Sequence, residues 1–204
     1  MTTLAAGIAD ALGSPLSIAA IYDRDYHSKE QIDEVVETLS KNLALAHVHT
    51  RKEIENYLLI PNALRRAIDR IQSNRSTHQD THMPNVDIES LLYSIIDPMR
   101  DEGMSQIVAK RLEKLKPKGR DQADSMKESV AEFNLKWKFL EDRLTIAPGK
   151  EVLRAVRTHL QEQLGVSLTD TRIIEAMRKD DIPEDLRNLL HEIDKFRTST
   201  QDMS

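Results

Sequence analysis

Hydrophobic positions near the start of the chain follow the pattern of a strand, a helix and a second strand. Residues 16–22 are an uncharged run with β-branched side chains, which is typical of a buried parallel strand. Residues 43–49 form a second run of this kind. Between the two runs, Ser28 and Gln31 have the spacing of a capping box, and apolar residues follow at helical spacing. The pattern predicts a parallel β–α–β unit.

The remainder of the pattern is helical. Thr50 and Glu53 have capping-box spacing and predict a short helix that stops near Pro61. Further apolar stripes predict helices over 62–71, 86–115, 122–144 and three segments within 146–197. We therefore expect an α/β fold, with a partial parallel sheet followed by a mostly α-helical region and helix dominating overall.

The same pattern divides the chain into four parts. Residues 1–61 form the α/β segment, and residues 62–145 read as a helical insertion. Residues 146–197 are expected to be C-terminal helices that pack on the α/β part, because a two-stranded sheet cannot bury itself. Residues 198–204 are polar and are expected to be a disordered tail.

Composition narrows the classes of function. The formal net charge of −5 gives no general attraction to nucleic acid, so any such contact needs a local basic patch. Cysteine is absent, which excludes disulfides, thiolate metal sites and a cysteine nucleophile and fits a cytoplasmic protein. No segment has the length and apolar character of a membrane span, so we expect no membrane contact.

Two acidic residues follow the first predicted strand. Asp23 and Asp25 are two positions apart, and side chains two apart on a strand face the same side. Ligands of open α/β sheets bind beyond the carboxyl ends of strands, and paired carboxylates there suit Mg²⁺ or Mn²⁺. The alternative is structural, because Asp-x-Asp after a strand is also typical of a turn and a helix cap.

Three short segments resemble a known family. They occur in this order: Tyr22-Asp23-Arg24-Asp25-Tyr26, then residues 51–59 (Arg-Lys-Glu-Ile-Glu-Asn-Tyr-Leu-Leu), and last the Gly149-Lys150 helix start. Together they resemble the carboxyl-terminal Toprim-like segment of ATPase-linked nucleases of the OLD (overcoming lysogenization defect) family. The resemblance is most specific over residues 18–61, and it makes residues 1–61 a partial Toprim-like segment.

The resemblance implies a metal-dependent nuclease module acting on DNA or RNA. Asp23 and Asp25 match the Asp-x-Asp of Toprim domains, and with Glu55 they would be the Mg²⁺ or Mn²⁺ ligands. Lys150 would join these three as a catalytic residue near the phosphate, where the helix start and its free N–H groups could receive an oxygen. Structural alternatives stay open: Glu55 in a salt bridge, Glu53 in a capping box and Lys150 at a solvated helix start.

The chain also departs from the Toprim pattern. The glutamate that Toprim domains carry on an earlier strand has no counterpart before Asp23, and no Walker A sequence is present. We therefore expect an ATPase partner chain or a missing N-terminal part to complete the site. The alternatives are a catalytically inactive interaction module that uses the sheet edge and helices, and a receiver-like acidic pocket. A zinc site at His27, His47 and His49 is a further, weaker hypothesis.

Overall fold

The described part of the chain begins with the β–α–β unit. The structure is a computed structural model, and it describes residues 17–76, 86–115 and 122–201. The unit consists of strand β1 (Ala19–Tyr22), helix α1 (Lys29–Ser40) and strand β2 (Leu45–Val48). The two strands pair in parallel, with Ala19 opposite Leu45 and Tyr22 opposite Val48. The predicted parallel pair is confirmed, although each strand is only four residues long.

Helices make up most of the remaining described residues. They are α2 (Pro61–Ser76), α3 (Ile88–Ile96), α4 (Arg100–Leu115), α5 (Gln122–Lys136), α6 (Leu140–Ile146), α7 (Gly149–Leu164), α8 (Asp170–Ala176) and α9 (Glu184–Gln201). Three 3₁₀ segments, Ile54–Leu58, Asp97–Met99 and Lys179–Asp181, connect them. The fold is thus helix-dominated α/β, as the sequence predicts.

The local signals at the helix ends have the expected effects. Ser28 caps α1, accepting from the N–H of Gln31, while the Gln31 side chain accepts from the N–H of Ser28. At the other end of the chain, Gly165 closes α7 in the left-handed conformation with a φ of 62°, which glycine adopts without steric cost. These two residues therefore fix where α1 begins and where α7 ends.

The hydrophobic core lies among the helices rather than on the sheet. Helix α3 packs on α7, α2 packs on α8, and the 3₁₀ segment Ile54–Leu58 packs on α7. The largest fully buried aliphatic side chains come from these elements: Leu59, Leu64, Ile88, Leu92, Ile96, Val152, Val156, Leu160, Val166 and Ile173. Burying each such side chain contributes about 1.5–3 kcal/mol, so the helical body holds the site residues in place.

The sheet is only partly covered in the described structure. Helices α1 and α9 both contact β2. On β1, Ala19 and Ile21 are exposed, and Ile21 keeps 41% of its surface accessible. The sheet therefore adds little to the hydrophobic core. Its carboxyl end instead positions the residues that follow the strands.

Several helix boundaries differ from the prediction: α2 continues past residue 71 to Ser76, and the span 86–115 is interrupted by the 3₁₀ segment Asp97–Met99. The segment predicted as one helix over 122–144 is two helices, α5 and α6, separated at residues 137–139. Arg143 reaches across this break, because its guanidinium lies 5.4 Å from the Trp137 ring centroid and its Nε donates to the Trp137 carbonyl. Helix α9 continues to Gln201, so residues 198–201 are helical rather than a tail, and 202–204 lie outside the described residues.

Candidate functional site

The carboxyl end of β1 places Asp23 and Asp25 in different settings. Asp23 is anchored, because its Oδ1 accepts a hydrogen bond of 3.0 Å from the N–H of Ile54. Asp25 lies in a turn with a φ of 50°, its N–H donates to the carbonyl of Lys52, and its side chain is exposed. Strand alternation stops at Tyr22, so the spacing of two no longer fixes a common direction for the two carboxylates.

Lys150 brings Asp23 and Glu55 together. Its Nζ lies 3.5 Å from Asp23 Oδ2 and 3.9 Å from Glu55 Oε2. Glu55 Oε2 is buried and accepts no hydrogen bond among the described atoms. The nearby carboxylates of Glu55, Asp23 and Glu53, in that order of effect, raise the pKa of Lys150. Three side chains from β1, the 3₁₀ segment and α7 thus converge on one point.

Glu53 lies beside this cluster and closes the start of α7. Its Oε2 accepts a 2.8 Å hydrogen bond from the N–H of Lys150, and its Oε1 accepts one of 2.8 Å from Lys52 Nζ. Burial opposes ionisation of Glu53, but these two donors outweigh it and lower its pKa. The Lys150 N–H that we expected to receive a phosphate oxygen is therefore already used by a carboxylate of the same chain.

The predicted capping box of Thr50 and Glu53 is wrong. Glu53 is directed to α7, while the Thr50 hydroxyl donates to Asp185 on α9. Tyr57 also donates to Asp185, and burial together with that carboxylate raises the pKa of Tyr57 to about 12. The side chains of Thr50 and Glu53 thus bond to α9 and α7, while the N–H of Glu53 is bonded within the first turn of the 3₁₀ segment by Asn56.

Asn56 fixes the 3₁₀ segment against α7. It is fully buried, its Nδ2 donates to the carbonyls of Leu144 and Ala147 at 2.8 and 2.9 Å, and its Oδ1 accepts from the N–H of Glu53 at 2.8 Å. Gly149 makes this possible, since a Cβ there would lie 2.7 Å from Asn56 Oδ1. Sequence reasoning missed both roles, although the available signal was their presence inside the two family-like segments.

The histidines do not form a metal centre with neighbouring acids. The His47 and His49 rings meet edge to face at 5.5 Å between centroids, and His49 packs in the same way on Tyr57. His49 is 2% exposed, its Nδ1 has no hydrogen-bond partner, and burial lowers its pKa. His27 is engaged elsewhere, with its Nδ1 bonded to the Arg24 carbonyl oxygen. His49 is thus a buried ring at the end of β2, and His47 is a half-buried ring beside it.

The acidic cluster has two converging carboxylates. Across residues 17–76, 86–115 and 122–201, no group of three or more His, Asp or Glu side chains is placed to share one metal. Asp23 and Glu55 nevertheless share the Lys150 ammonium, and one Glu55 oxygen has no hydrogen-bond donor. Mg²⁺ is commonly bound by one or two protein carboxylates together with water and substrate phosphates. A divalent ion in place of the Lys150 ammonium would therefore need water or substrate oxygens to complete its shell.

Comparison with protein-family models, curated proteins and solved structures gave no match. No helix in the described ranges is both long and apolar enough to cross a lipid bilayer.

Proposed function

We propose that this chain carries a Toprim-like, divalent-metal-dependent phosphodiesterase site that acts on nucleic acid. Asp23 and Glu55 would hold Mg²⁺ or Mn²⁺, and Lys150 would bind the phosphate. The observation that carries the proposal is the meeting of these three side chains, from three separate elements, around a buried Glu55 oxygen without a hydrogen bond.

The electrostatics of the cluster support a cation between the two carboxylates. In the described structure, the Lys150 ammonium forms ion pairs with Asp23 and Glu55 at 3.5 and 3.9 Å, and it does not hydrogen-bond Glu55 Oε2. The Lys150 side chain is 59% exposed, so it can turn outward without breaking a packed contact. When bound, a divalent ion would polarise the phosphate and lower the pKa of nearby water. Lys150 would then neutralise a phosphate oxygen instead of the two acids.

Rigid support makes the cluster suitable for this role. Asp23 is fixed by its hydrogen bond from the Ile54 N–H. Glu55 lies between Ile54, which makes that bond, and Asn56, which is hydrogen-bonded to the carbonyls of residues 144 and 147. Such preorganisation is what lets charged groups act on a developing charge without reorganising. The long side chain of Lys150 is the mobile member.

A further acid would complete a two-metal centre. Toprim domains have a glutamate on a separate strand, and we propose that another segment or an ATPase partner chain supplies it here. Glu53 is already engaged by the Lys150 N–H and Lys52, so Asp25, exposed in the adjoining turn, is the additional carboxylate that would act when a substrate or partner orders it. This chain alone would therefore bind the metal more readily than it cleaves.

The test measures Mn²⁺ binding by electron paramagnetic resonance. Cleavage of plasmid and single-stranded DNA is measured in parallel. Asp23→Asn and Glu55→Gln should each weaken Mn²⁺ binding at least about tenfold, since each removes one of two protein ligands. Lys150→Met should bind Mn²⁺ more tightly, because it removes the competing ammonium, yet it should cleave more slowly. Asp33→Asn, in the exposed Lys29–Asp33 pair of α1, is the matched control.

The opposite direction expected for Lys150→Met separates a metal site from a structural ion-pair cluster. If wild-type protein binds no Mn²⁺, or if Asp33→Asn loses as much binding as Asp23→Asn, the metal proposal is wrong. The second candidate function, an inactive interaction module, would then be favoured by the exposed Ala19 and Ile21 on β1. Within the described residues β1 pairs only with β2, and a sheet edge of this kind is a site at which another chain can add a strand.

A further inference from the structure

A second cluster of charged residues lies on the other side of the Asp23–Asp25 turn. Arg24, between the two aspartates, meets Arg111 of α4 and Lys136 of α5 along one narrow pocket. Asp25, His27 and Glu132 also line it. Arg111 and Lys136 are brought there by the packing of α4 against α5, so the cluster joins the end of β1 to the helical region.

The cluster is short of negative charge. Arg24 donates to the carbonyls of Thr50 and His27, at 2.9 and 3.2 Å, and no carboxylate within the described residues lies within 4.0 Å of it. A single acid, Glu132, serves both other cations: it accepts from Arg111 Nη2 and lies 3.7 Å from Lys136 Nζ. Asp25 forms no ion pair with any of the three.

Partial burial makes this imbalance costly. Burial lowers the pKa of Lys136, and the neighbouring Arg24 and Arg111 lower it further. Burial also lowers the pKa of Arg24. Half-buried cations that repel one another are stabilised when an anion binds beside them.

We propose that Arg24, Arg111 and Lys136 bind a backbone phosphate of the nucleic-acid strand whose neighbouring phosphodiester lies at Asp23, Glu55 and Lys150. This inference rests on the proposed function, and it names how the substrate strand is held. The two clusters share the turn after β1, because Arg24 directly follows Asp23 in sequence. Two guanidinium groups and an ammonium are the donors that phosphate oxygens select.

The pocket is large enough for a phosphate oxygen but not for a sugar or a base. Its volume of about 20 Å³, open to solvent, holds little more than one water-sized group. A phosphate oxygen can enter while the sugar and base stay outside, as they do when a protein binds the backbone without reading the bases. The contact would therefore be independent of base sequence.

The test is fluorescence anisotropy of a short fluorescein-labelled single-stranded DNA, measured in EDTA so that no divalent metal contributes. Lys136→Met and Arg111→Met should each weaken binding about five- to tenfold and reduce the salt dependence, log K against log salt, by about 0.7 per lost phosphate contact. Lys127→Met removes the same charge from an exposed position on α5, where Lys127 is 3.5 Å from Asp124, and should change binding less than about twofold.

A variant that is expected to bind DNA more tightly excludes misfolding as the cause of the affinity changes. Glu132→Gln removes the one carboxylate that Arg111 and Lys136 share, so it should bind the DNA about threefold or more tighter. A misfolded protein would not gain affinity in this way. The proposal is overturned if Glu132→Gln binds no tighter, or if Lys127→Met loses as much affinity as Lys136→Met.

Two competitors identify the ligand. A polyglutamate peptide of equal charge should compete at least about tenfold more weakly than unlabelled DNA, because its flexible carboxylate side chains lose more conformational freedom on binding. Inorganic phosphate at the same phosphate concentration should also compete weakly. Equal competition by either one overturns the assignment to a nucleic-acid strand. Since binding is measured in EDTA, its failure is distinguishable from failure of Mn²⁺ binding.

Discussion

Replacing Asn56 by alanine tests whether the candidate site depends on one buried amide. Asn56 is fully buried and makes three side-chain hydrogen bonds, two to the carbonyls of Leu144 and Ala147 and one from the N–H of Glu53. Alanine removes all three and leaves their partners without a protein bond. At about 0.5–1.5 kcal/mol net for each bond, the free energy of unfolding should fall by about 1.5–4.5 kcal/mol.

That loss is large relative to the stability of an ordinary domain, which is about 5–15 kcal/mol. The melting temperature should fall by about 6–12 °C for a loss near 3 kcal/mol in a chain of this size. Urea unfolding followed by far-UV circular dichroism measures the free energy directly. The midpoint should move while the slope stays unchanged, because the variant exposes the same surface on unfolding.

Asn56→Asp separates the hydrogen bonds from the volume of the side chain. Aspartate keeps an oxygen for the Glu53 N–H but turns a second oxygen toward the carbonyls of residues 144 and 147, which repel it. Burial and repulsion should raise the pKa of this carboxyl above its usual value of about 3.9. The variant should therefore be least stable above the raised pKa and recover stability as the pH falls toward about 4, where the protonated carboxyl can donate.

Asn188→Ala is the matched control, since Asn188 is exposed on α9 and alanine is the better helix former. We expect it to change the free energy of unfolding by less than about 0.5 kcal/mol. If Asn56→Ala is as mild as Asn188→Ala, the buried amide does not hold the 3₁₀ segment against α7. The reasoning about how Glu55 and Lys150 are positioned would then be wrong.

Three further substitutions test other parts of the structure. Gly149→Ala should lower the free energy of unfolding, measured in urea, by about 1–3 kcal/mol, because its Cβ would lie under 3 Å from Asn56. Gly103→Ala, whose Cβ would lie 3.6 Å from Phe133, should be neutral or stabilising, and equal effects of the two variants would contradict the close approach at Gly149. His49 is buried with a lowered pKa, so the stability of the protein should fall as the pH drops below about 6.5, the pKa of histidine in the unfolded chain. Urea titrations of His49→Gln should show a weaker fall, and an unchanged pH dependence would exclude His49 as its source. Leu160→Ala, near the carboxyl end of α7, should lower the free energy of unfolding by about 2–5 kcal/mol, and a loss under about 1 kcal/mol would place Leu160 outside the core.

Local sequence patterns predicted the elements but not all of their ends. The uncharged run before Asp23 predicted β1, and Ser28 with Gln31 predicted the start of α1, because strand burial and helix capping depend on residues within a few positions. The break between α5 and α6 escaped this reasoning. Its apolar stripe is continuous in sequence, and the bond from Arg143 to the Trp137 carbonyl exists only once the chain has turned back.

The candidate site was predicted as residue types more than as an arrangement. The sequence singled out Asp23, Asp25, Glu55 and Lys150, and the structure brings Asp23, Glu55 and Lys150 to one point. It leaves Asp25 in a turn beyond the strand, where alternation gives no direction. Whether these residues bind metal or nucleic acid stays a prediction.

By itself, the sequence determined what is short-range: the helical periodicity, the parallel strand pair, the capped start of α1 and the glycine end of α7. Only the tertiary structure decided which charges meet. Glu53 turned from a local cap to the Lys150 N–H, 97 residues away, and Arg24 reached the cations of α4 and α5. The physical reason is that periodicity and capping are set by neighbours along the chain. The partner of a charged group is set instead by how the helices pack, which depends on the whole core at once.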